Sequence, residues 1–307
     1  MTTNRRYFLK QFTLFGASLS ADLTTSYESM AGNIHGKKAA FKISLAEWSF
    51  HRAIFGGKMD HLNFAKVAKR DYGIDAIEYV NSMFFERAKD TNYLSQMKQR
   101  AADDGVRSRL IMIDREGALG APDANERTKA VENHYKWVEA AKYLGCKIIR
   151  VSARSEGSFD EQMALAADGL SRLTEFAATH NIDVIVENHG GLSSNGKWLV
   201  GVMKRVNKSR CGTLPDFGNF NLGNGEEYDR YQGVSEMMPF AKAVSAKSHD
   251  FDEKGDEAQI DYYKMMKIVT NAGYHDYVGI EYEGEKLSEP DGVMATLKLL
   301  QKILSII

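Results

Sequence analysis

The sequence predicts a single (β/α)₈ barrel, because short apolar segments alternate eight times with longer amphipathic segments. The chain has 307 residues, of which 43% are hydrophobic, and one such barrel needs about 250 residues. No Pro-rich or Ser-rich linker interrupts the alternation, and no Gly-x-Gly-x-x-Gly motif follows the first strand. One α/β barrel over residues 40–307 is therefore favoured over an open nucleotide-binding sheet.

Eight segments have the length and composition of strands, and amphipathic segments of helical period follow them. The predicted strands are 41–46, 74–80, 106–113, 146–152, 182–187, 212–216, 241–248 and 277–282. The predicted helices are 60–71, 92–104, 123–144, 158–181, 198–206, 228–237, 261–272 and 288–304. Each predicted strand is followed by a helix, which is the repeating unit of the barrel.

Two of the helices carry explicit start signals. Asp123 with Glu126, and Ser158 with Glu161, have the spacing of a capping box. In this motif the side chain of the first residue accepts from the backbone amide of the second, and the side chain of the second accepts from the amide of the first. Gly145 follows the third helix and can adopt the left-handed backbone that ends a helix.

The overall charge and hydropathy argue against nucleic-acid and membrane partners, and the cysteines are expected to be structural. A formal net charge of −1 and a pI near 6.7 provide no excess of Lys and Arg for nucleic acid or an anionic membrane surface. No apolar run reaches the ~18 residues that a membrane span requires. Cys146 and Cys211 each begin a strand-like segment, so we expect both to be buried and unpaired.

The amino-terminal segment has a different character from the rest of the chain. Arg5 and Arg6 precede Phe8-Leu9-Lys10 and a short apolar stretch, and this layout resembles a twin-arginine export signal. Residues 1–38 are therefore predicted to be a signal segment and linker, and the mature protein is predicted to be periplasmic. The alternative is an unstructured basic tail on a cytoplasmic enzyme.

The segment Ile182-Asp-Val-Ile-Val-Glu-Asn-His-Gly-Gly places polar side chains at the end of a strand that reads as buried on both faces. In a parallel barrel, catalytic residues lie where the strands end. A structural salt bridge to Arg or Lys is the competing interpretation of Glu187. The pattern recurs at the ends of later strands, with Asp216, His249 and Glu281.

The predicted strands bring a set of polar residues to one rim of the barrel. These are Trp48, His51, Glu78, Asp114, Glu116, Arg150, Glu187, His189, Asp216, Asn219, Lys247, His249, Glu281 and Glu283. So many carboxylates facing one cavity would repel each other without a cation among them. Two Glu, one Asp and one His form an oxygen-rich set that suits Mn²⁺, Mg²⁺, Co²⁺ or Zn²⁺.

A chelating substrate is expected at the open positions of that metal. The predicted substrate contacts are His189, Trp48, Glu78, Asp114, Glu116, Arg150, Asn219 and Glu283. His189 follows Glu187 by two residues and therefore shares its face of the strand. Trp48 could instead be a core aromatic residue, and Arg150 could instead be a buried partner for Glu78 or Glu187.

Three strand-end motifs together resemble the xylose isomerase-like barrels of the sugar phosphate isomerase/epimerase group. The motifs are Val-Glu187-Asn-His, Leu-Pro-Asp216-Phe-Gly-Asn219 and Gly-Ile-Glu281-Tyr-Glu. The resemblance covers the chain from Phe41 to its carboxyl terminus. It implies four metal ligands: Glu187, Asp216, a histidine of the seventh strand, and Glu281.

The seventh strand departs from that family pattern. The family commonly has His-x-Lys-Asp, whereas this chain has Lys247-Ser248-His249-Asp250. Lys247 and His249 are two residues apart and are expected to face the same way. Either His249 supplies the ligand from one step further along, or Lys247 occupies the ligand position and the metal site is altered or lost.

The function that this resemblance implies is a metal-dependent sugar isomerase or epimerase. It would move a proton next to a carbonyl through an enediolate, with Glu187, Glu281 and Lys247 as catalytic residues. The predicted export favours a non-phosphorylated sugar as substrate. The alternatives are a lyase or hydratase acting on 3-keto glycosides and a catalytically silent sugar-binding barrel. A DNA-repair endonuclease of this barrel type would need more histidines at the rim. The sequence is also compatible with a homo-oligomer.

Overall fold

The predicted strands pair in parallel in one curled sheet of eight. The structure is a computed structural model that describes residues 39–307, so the predicted export segment lies outside the described residues. The barrel strands are β1 (Lys42–Ala46), β2 (Ala76–Val80), β3 (Arg107–Met112), β4 (Ile148–Val151), β5 (Asp183–Glu187), β6 (Cys211–Leu214), β9 (Val244–Ser248) and β10 (Tyr277–Tyr282). Their order is β6-β5-β4-β3-β2-β1-β10-β9, and parallel bridges from Thr213 to Ala241 and from Asp216 to Ser245 join β6 to β9. The predicted (β/α)₈ barrel is confirmed.

The helices lie where the amphipathic segments predicted them, with one additional short helix, α1. They are α1 (His51–Phe55), α2 (Phe64–Tyr72), α3 (Thr91–Asp103), α4 (Ala124–Leu144), α5 (Phe159–Thr179), α6 (Gly196–Val206), α7 (Arg230–Met237), α8 (Tyr262–Asn271) and α9 (Glu289–Leu304). The prediction missed α1 and a hairpin of β7 (Asn221–Gly223) and β8 (Glu226–Glu227). Both are too short to show a recognisable period in the sequence.

The predicted helix boundaries are largely as expected. Ser158 and Glu161 form a reciprocal capping box at the start of α5. Asp123 accepts hydrogen bonds from the amides of Asn125 and Glu126 at the start of α4, and among the described hydrogen bonds this is the half of the box that forms. Gly145 ends α4 with φ at 85°, in the left-handed region.

Side chains alternate along each strand between the helix layer and the barrel interior. On β5, Val184 and Val186 pack against the helices, whereas Ile185 points into the barrel. The interior contains a small apolar layer of Ala46, Val80, Leu110, Met112, Ile148, Ile185, Leu214 and Ala243. Glu187 follows Ile185 by two residues, so it faces inward one step above that layer. This alternation positions the polar site at the carboxyl ends of the strands.

The expectation that both cysteines are buried and unpaired is confirmed. Cys146 and Cys211 are buried and unpaired. Within residues 39–307, no helix combines the length and the apolar character that crossing a membrane requires.

Candidate metal centre and active site

Three buried carboxylates meet inside the carboxyl end of the barrel. Glu187 on β5, Asp216 after β6 and Glu281 on β10 each offer a ligand oxygen, and these oxygens lie within 4.8 Å of one another. We call these three residues the acidic triad. They are 0–3% exposed, so their charges are little screened by solvent. The sequence predicted all three as metal ligands.

Neighbouring groups hold the triad in place. Asn219 Nδ2 donates to Glu187 Oε1 at 2.9 Å, and the amides of Gly218 and Asn219 both donate to Asp216 Oδ1 at 2.8 Å. Asn219 was predicted to contact substrate, and the structure gives it a positioning contact with Glu187.

Ser245 is a site residue that sequence reasoning missed. Its hydroxyl oxygen lies 2.6 Å from Asp216 Oδ2 and 3.1 Å from Glu281 Oε2, so it bridges two members of the triad. One signal could have found it. Ser245 precedes Lys247 by two residues and therefore shares its inward face of β9.

Asn188 is the second missed residue. It is fully buried, and its Nδ2 donates to the backbone carbonyls of Asp216 and Asn219 at 3.0 Å while its Oδ1 accepts from the Asp216 amide at 2.7 Å. These bonds fix the end of β5 to the turn that carries Asp216. An amide side chain suits this position because it both donates and accepts.

Lys247 extends into the triad. Its Nζ lies 3.3 Å from Glu281 Oε1, 3.2 Å from Glu283 Oε2 and 3.4 Å from Asn219 Oδ1, and the residue is 3% exposed. Burial by itself would lower the pKa of Lys247, but the surrounding carboxylates, Glu281 first, raise it well above its ordinary value. The side chain is therefore a buried ammonium group.

Arg150 is the second buried cation of the site. Its Nη1 donates to Asp114 Oδ1 at 2.7 Å, and its Nε lies 2.9 Å from Glu187 Oε2 in an orientation that does not make a hydrogen bond. Arg150 therefore contacts Glu187 as a buried partner, which is the alternative role that the sequence left open for it. Although burial opposes it, Arg150 keeps the pKa of Asp114 below its ordinary value.

Glu187 has a strongly perturbed acidity. Burial raises its pKa to about 8 even though Arg150 opposes the shift, and the charges of Glu281 and Asp216 add to the rise. A carboxyl group with this pKa can gain or lose a proton near neutral pH.

The remaining predicted substrate residues lie around the triad at different depths. Trp48 Nε1 donates to Glu283 Oε1, and the Trp48 ring stacks on His51 with ring centroids 4.7 Å apart. The Glu116 carboxylate contacts two side chains of α4: it accepts a hydrogen bond from Trp137 Nε1 and pairs with Lys136 Nζ at 2.8 Å.

A cavity of about 800 Å³ opens beside the site, among the segments that follow β3, β4 and β5. Three predicted substrate residues line it: Asp114, Glu116 and His189. His189 is exposed there, whereas Glu187 two residues earlier is buried. The volume is within the range of pockets that bind small molecules.

Glu78 lies deeper in the barrel than the triad. Ser44 Oγ donates to its Oε1 at 2.6 Å, and its Oε2 is buried without a hydrogen-bond partner among the described residues. A Cβ added to Gly279 would approach the Glu78 carboxylate to 2.7 Å, so any larger residue there would require that carboxylate to move. Gly279 precedes Glu281 by two residues, which places Glu78 one step below Glu281.

The acidity of Glu78 leads to a prediction about stability. Burial raises its pKa to about 7, so the folded protein retains a proton that the unfolded chain releases above pH 4.5. Stability contributed by this group is complete below pH 4.5 and is lost as the pH rises towards 7 and above. Glu78→Gln removes this loss. Between pH 5 and pH 8 we expect the free energy of unfolding of the variant to rise by up to about 3 kcal/mol relative to that of the wild type.

Urea unfolding at both pH values measures this difference, and Glu86→Gln at an exposed position is the matched control. If the free energy of unfolding changed equally in both variants between pH 5 and pH 8, the raised pKa of Glu78 would be contradicted.

His249 does not join the acidic triad. Its backbone amide donates to Glu257 Oε1 at 3.2 Å, and its Nδ1 is buried without a hydrogen-bond partner among the described residues. The structure thus brings three of the four predicted ligands together and leaves the fourth beside them. The ligand role of His249 stays a prediction.

The triad fits a divalent cation. Carboxylate oxygens that share a cation of this kind lie about 2.0–2.6 Å from it, so oxygens within 4.8 Å of one another can reach the same ion. The Glu187 Oε2 atom is also buried and accepts no hydrogen bond from the described residues. A buried set of three carboxylates could therefore hold a metal ion.

The fold and the site define an α/β barrel with an acidic, metal-competent centre at the carboxyl ends of its strands. The family model for the xylose isomerase-like TIM barrel matches residues 65–303. The chain belongs to this family. No curated protein matches the chain by sequence.

Several solved structures share the fold at low sequence identity. A xylose isomerase-like TIM barrel protein from Mycobacterium smegmatis in complex with magnesium has a TM-score of 0.63 and 16% identity, with 87% of this chain and 100% of that chain covered. The 3-keto-D-glucoside 4-epimerase from E. coli has a TM-score of 0.63 and 17% identity, covering 86% and 99%. A sugar phosphate isomerase/epimerase from Parabacteroides distasonis has a TM-score of 0.67 and 15% identity, covering 88% and 96%.

Proposed function

We propose that this protein is a sugar isomerase or epimerase that moves a proton on the carbon next to a carbonyl group. The observation that carries the proposal is the acidic triad, in which Glu187 and Glu281 bring buried carboxylates to one point from two separate strands. In the closed barrel, β5 and β10 are separated by β6 and β9, so their carboxylates approach a bound substrate from different sides. Two such groups suit an epimerisation, in which one group removes a proton from one face of a carbon and the other returns a proton to the opposite face.

The two glutamates have separate roles in the proposed reaction. One glutamate removes the proton from the α-carbon, and the electrons of that C–H bond move into the carbonyl, which becomes an enediolate oxygen. The other glutamate, protonated at the outset, gives its proton to carbon as the carbonyl forms again, and exchange with solvent then resets the two carboxyl groups. Burial raises the pKa of Glu187 to about 8 in the metal-free site, and a cation bound to its carboxylate would lower that value and keep Glu187 ionised as a base. A divalent metal held by the triad would polarise the substrate carbonyl and acidify its α-hydrogen.

Lys247 and His189 complete the proposed machinery. The Lys247 ammonium group contacts Glu281, so it can donate to an oxygen that becomes negative during the reaction. His189 lines the open cavity and is placed to hold a hydroxyl group of the substrate. Contacts of Trp48, Glu283 and the other predicted residues with the sugar are part of the same proposal.

A non-phosphorylated sugar is the proposed substrate, and the cavity also favours a second candidate. At about 800 Å³ it has room beyond a single sugar ring, as a glycoside would need. One structural neighbour is a 3-keto-D-glucoside 4-epimerase. A lyase acting on 3-keto glycosides begins with the same proton removal and is the second candidate.

The test is solvent exchange in D₂O with a panel of ketohexoses and 3-keto-glucosides, each with its phosphorylated counterpart where one exists. Deuterium at the carbon next to the carbonyl, read by NMR, is expected with a non-phosphorylated member. Loss of the aglycone instead identifies the lyase. Binding of a sugar without any exchange or product would favour the silent sugar-binding barrel and reject the proposed reaction.

We also propose that the protein is exported through its Arg5-Arg6 signal. The double variant Arg5→Lys, Arg6→Lys is expected to retain the protein in the cytoplasm, because a twin-arginine signal needs its arginine pair. Fractionation of cells into periplasm and cytoplasm measures the outcome. The double variant Lys37→Gln, Lys38→Gln changes two basic residues of the same segment and should be exported normally. Unchanged export of the arginine variant would refute the signal.

A further inference from the structure

We propose that Lys247 is a tethered cation that stabilises the acidic triad in the absence of metal, and that it competes directly with a divalent ion for that site. The inference rests on the metal site of the proposed function. It concerns how tightly the triad can bind a metal.

The contacts of the ammonium group carry the first step. Lys247 Nζ lies 3.3 Å from Glu281 Oε1 and 3.2 Å from Glu283 Oε2, and the Lys247 side chain is 4% exposed. The ammonium group is thus directed into the site and away from water. Gly218 leaves room for its stem, since an added Cβ there would lie 3.0 Å from Lys247 Cγ and Cδ.

The distribution of charge carries the second step. Arg150 is already engaged by Asp114 and Glu187. Asp216 has no ion pair within 4.0 Å among the described residues; burial raises its pKa, and the nearby charge of Lys247 opposes that rise. Glu281 pairs with Lys247 and with no other described cation. Two members of the triad therefore depend on this one ammonium group for charge compensation.

Competition follows from simple electrostatics. A metal ion at the triad would share Glu281 with the ammonium group, and two cations a few ångströms apart in a buried site repel strongly. Metal binding must therefore displace Lys247 from Glu281, and the lost ion pairs weaken the apparent affinity. Without the ammonium group, the carboxylates lack a counter-charge, so the apoprotein is less stable and the metal is bound more tightly.

The test is titration of chelator-treated protein with Mn²⁺ by calorimetry, with thermal unfolding measured alongside. Lys247→Gln is expected to bind Mn²⁺ at least about tenfold more tightly than the wild type, which corresponds to about 1.4 kcal/mol. Its unfolding temperature should be lower without metal and should rise more on addition of Mn²⁺. Equal or weaker Mn²⁺ binding by this variant would overturn the proposal.

Two matched variants isolate the charge at this position. Lys247→Arg keeps a cation there and should retain the affinity of the wild type. Lys242→Gln removes a lysine charge just before β9, where Lys242 pairs with Asp183 at 2.8 Å, and should leave Mn²⁺ affinity unchanged. An increase in affinity in either control would show that the effect is not specific to the Lys247 ammonium group.

A double variant keeps the proposal testable if Lys247→Gln does not fold without metal. Lys247→Gln with Glu283→Gln removes the cation together with one of its paired carboxylates, and it should still bind Mn²⁺ more tightly than Glu283→Gln alone. Equal affinity of these two proteins would contradict the competition. The affinity ratio is independent of turnover, so a failure to detect proton exchange would reject the proposed reaction without deciding this inference.

Discussion

Replacing Glu187 or Glu281 with glutamine is expected to slow solvent exchange of the substrate α-hydrogen by a factor of roughly a hundred or more. Glutamine keeps the size and much of the hydrogen bonding of the side chain but cannot take up a proton at neutral pH. General acid–base catalysis of this kind typically contributes about 10²- to 10⁴-fold. The rate of deuterium incorporation in D₂O is the measurement.

Glu289→Gln is the matched control for the loss of a buried carboxylate. Glu289 is 6% exposed and accepts hydrogen bonds from the amides of Arg52 and Ala53, away from the triad. Its substitution should leave the exchange rate within a few-fold of the wild type. Full activity in both Glu187→Gln and Glu281→Gln would leave the proposed reaction without its acid and base.

Arg150→Met is expected to reduce the free energy of unfolding by about 3–5 kcal/mol at neutral pH. Arg150 is 5% exposed and its guanidinium group lies between Asp114 and Glu187, so its removal leaves the buried Glu187 and the partly buried Asp114 without a cationic partner. The loss should be smaller near pH 3, because Arg150 holds the pKa of Asp114 below its ordinary value, and protonation of Asp114 removes the carboxylate charge that Arg150 compensates. Urea unfolding at the two pH values provides the measurement.

The control for this variant lies on the adjacent strand. Arg107 begins β3, has a side chain that is 63% exposed and pairs with Asp75 at 3.5 Å. A surface ion pair of this kind contributes about 0–1 kcal/mol, so Arg107→Met should have little effect. Similar losses in Arg150→Met and Arg107→Met would show that the buried pairing at Arg150 does not stabilise the fold.

The architecture could be predicted from the sequence because its signals are local. Strand and helix periods, the cap at Ser158 and the stop at Gly145 all depend on residues a few positions apart. The same local signals indicated where the strands end, and hence that Glu187 and Glu281 would face a common rim. The hairpin of β7 and β8 gave too short a signal to be recognised.

What the sequence by itself determined is which side chains point into the carboxyl end of the barrel, because inward direction follows from a period of two along each strand. Only the tertiary structure decided which of them touch. Lys247 reaches Glu281 and Glu283, Ser245 bridges two carboxylates, and His249 stays outside the triad. These pairings join strands that are far apart in the chain, so they depend on barrel closure and on the reach of each side chain, and neither quantity is encoded in local spacing.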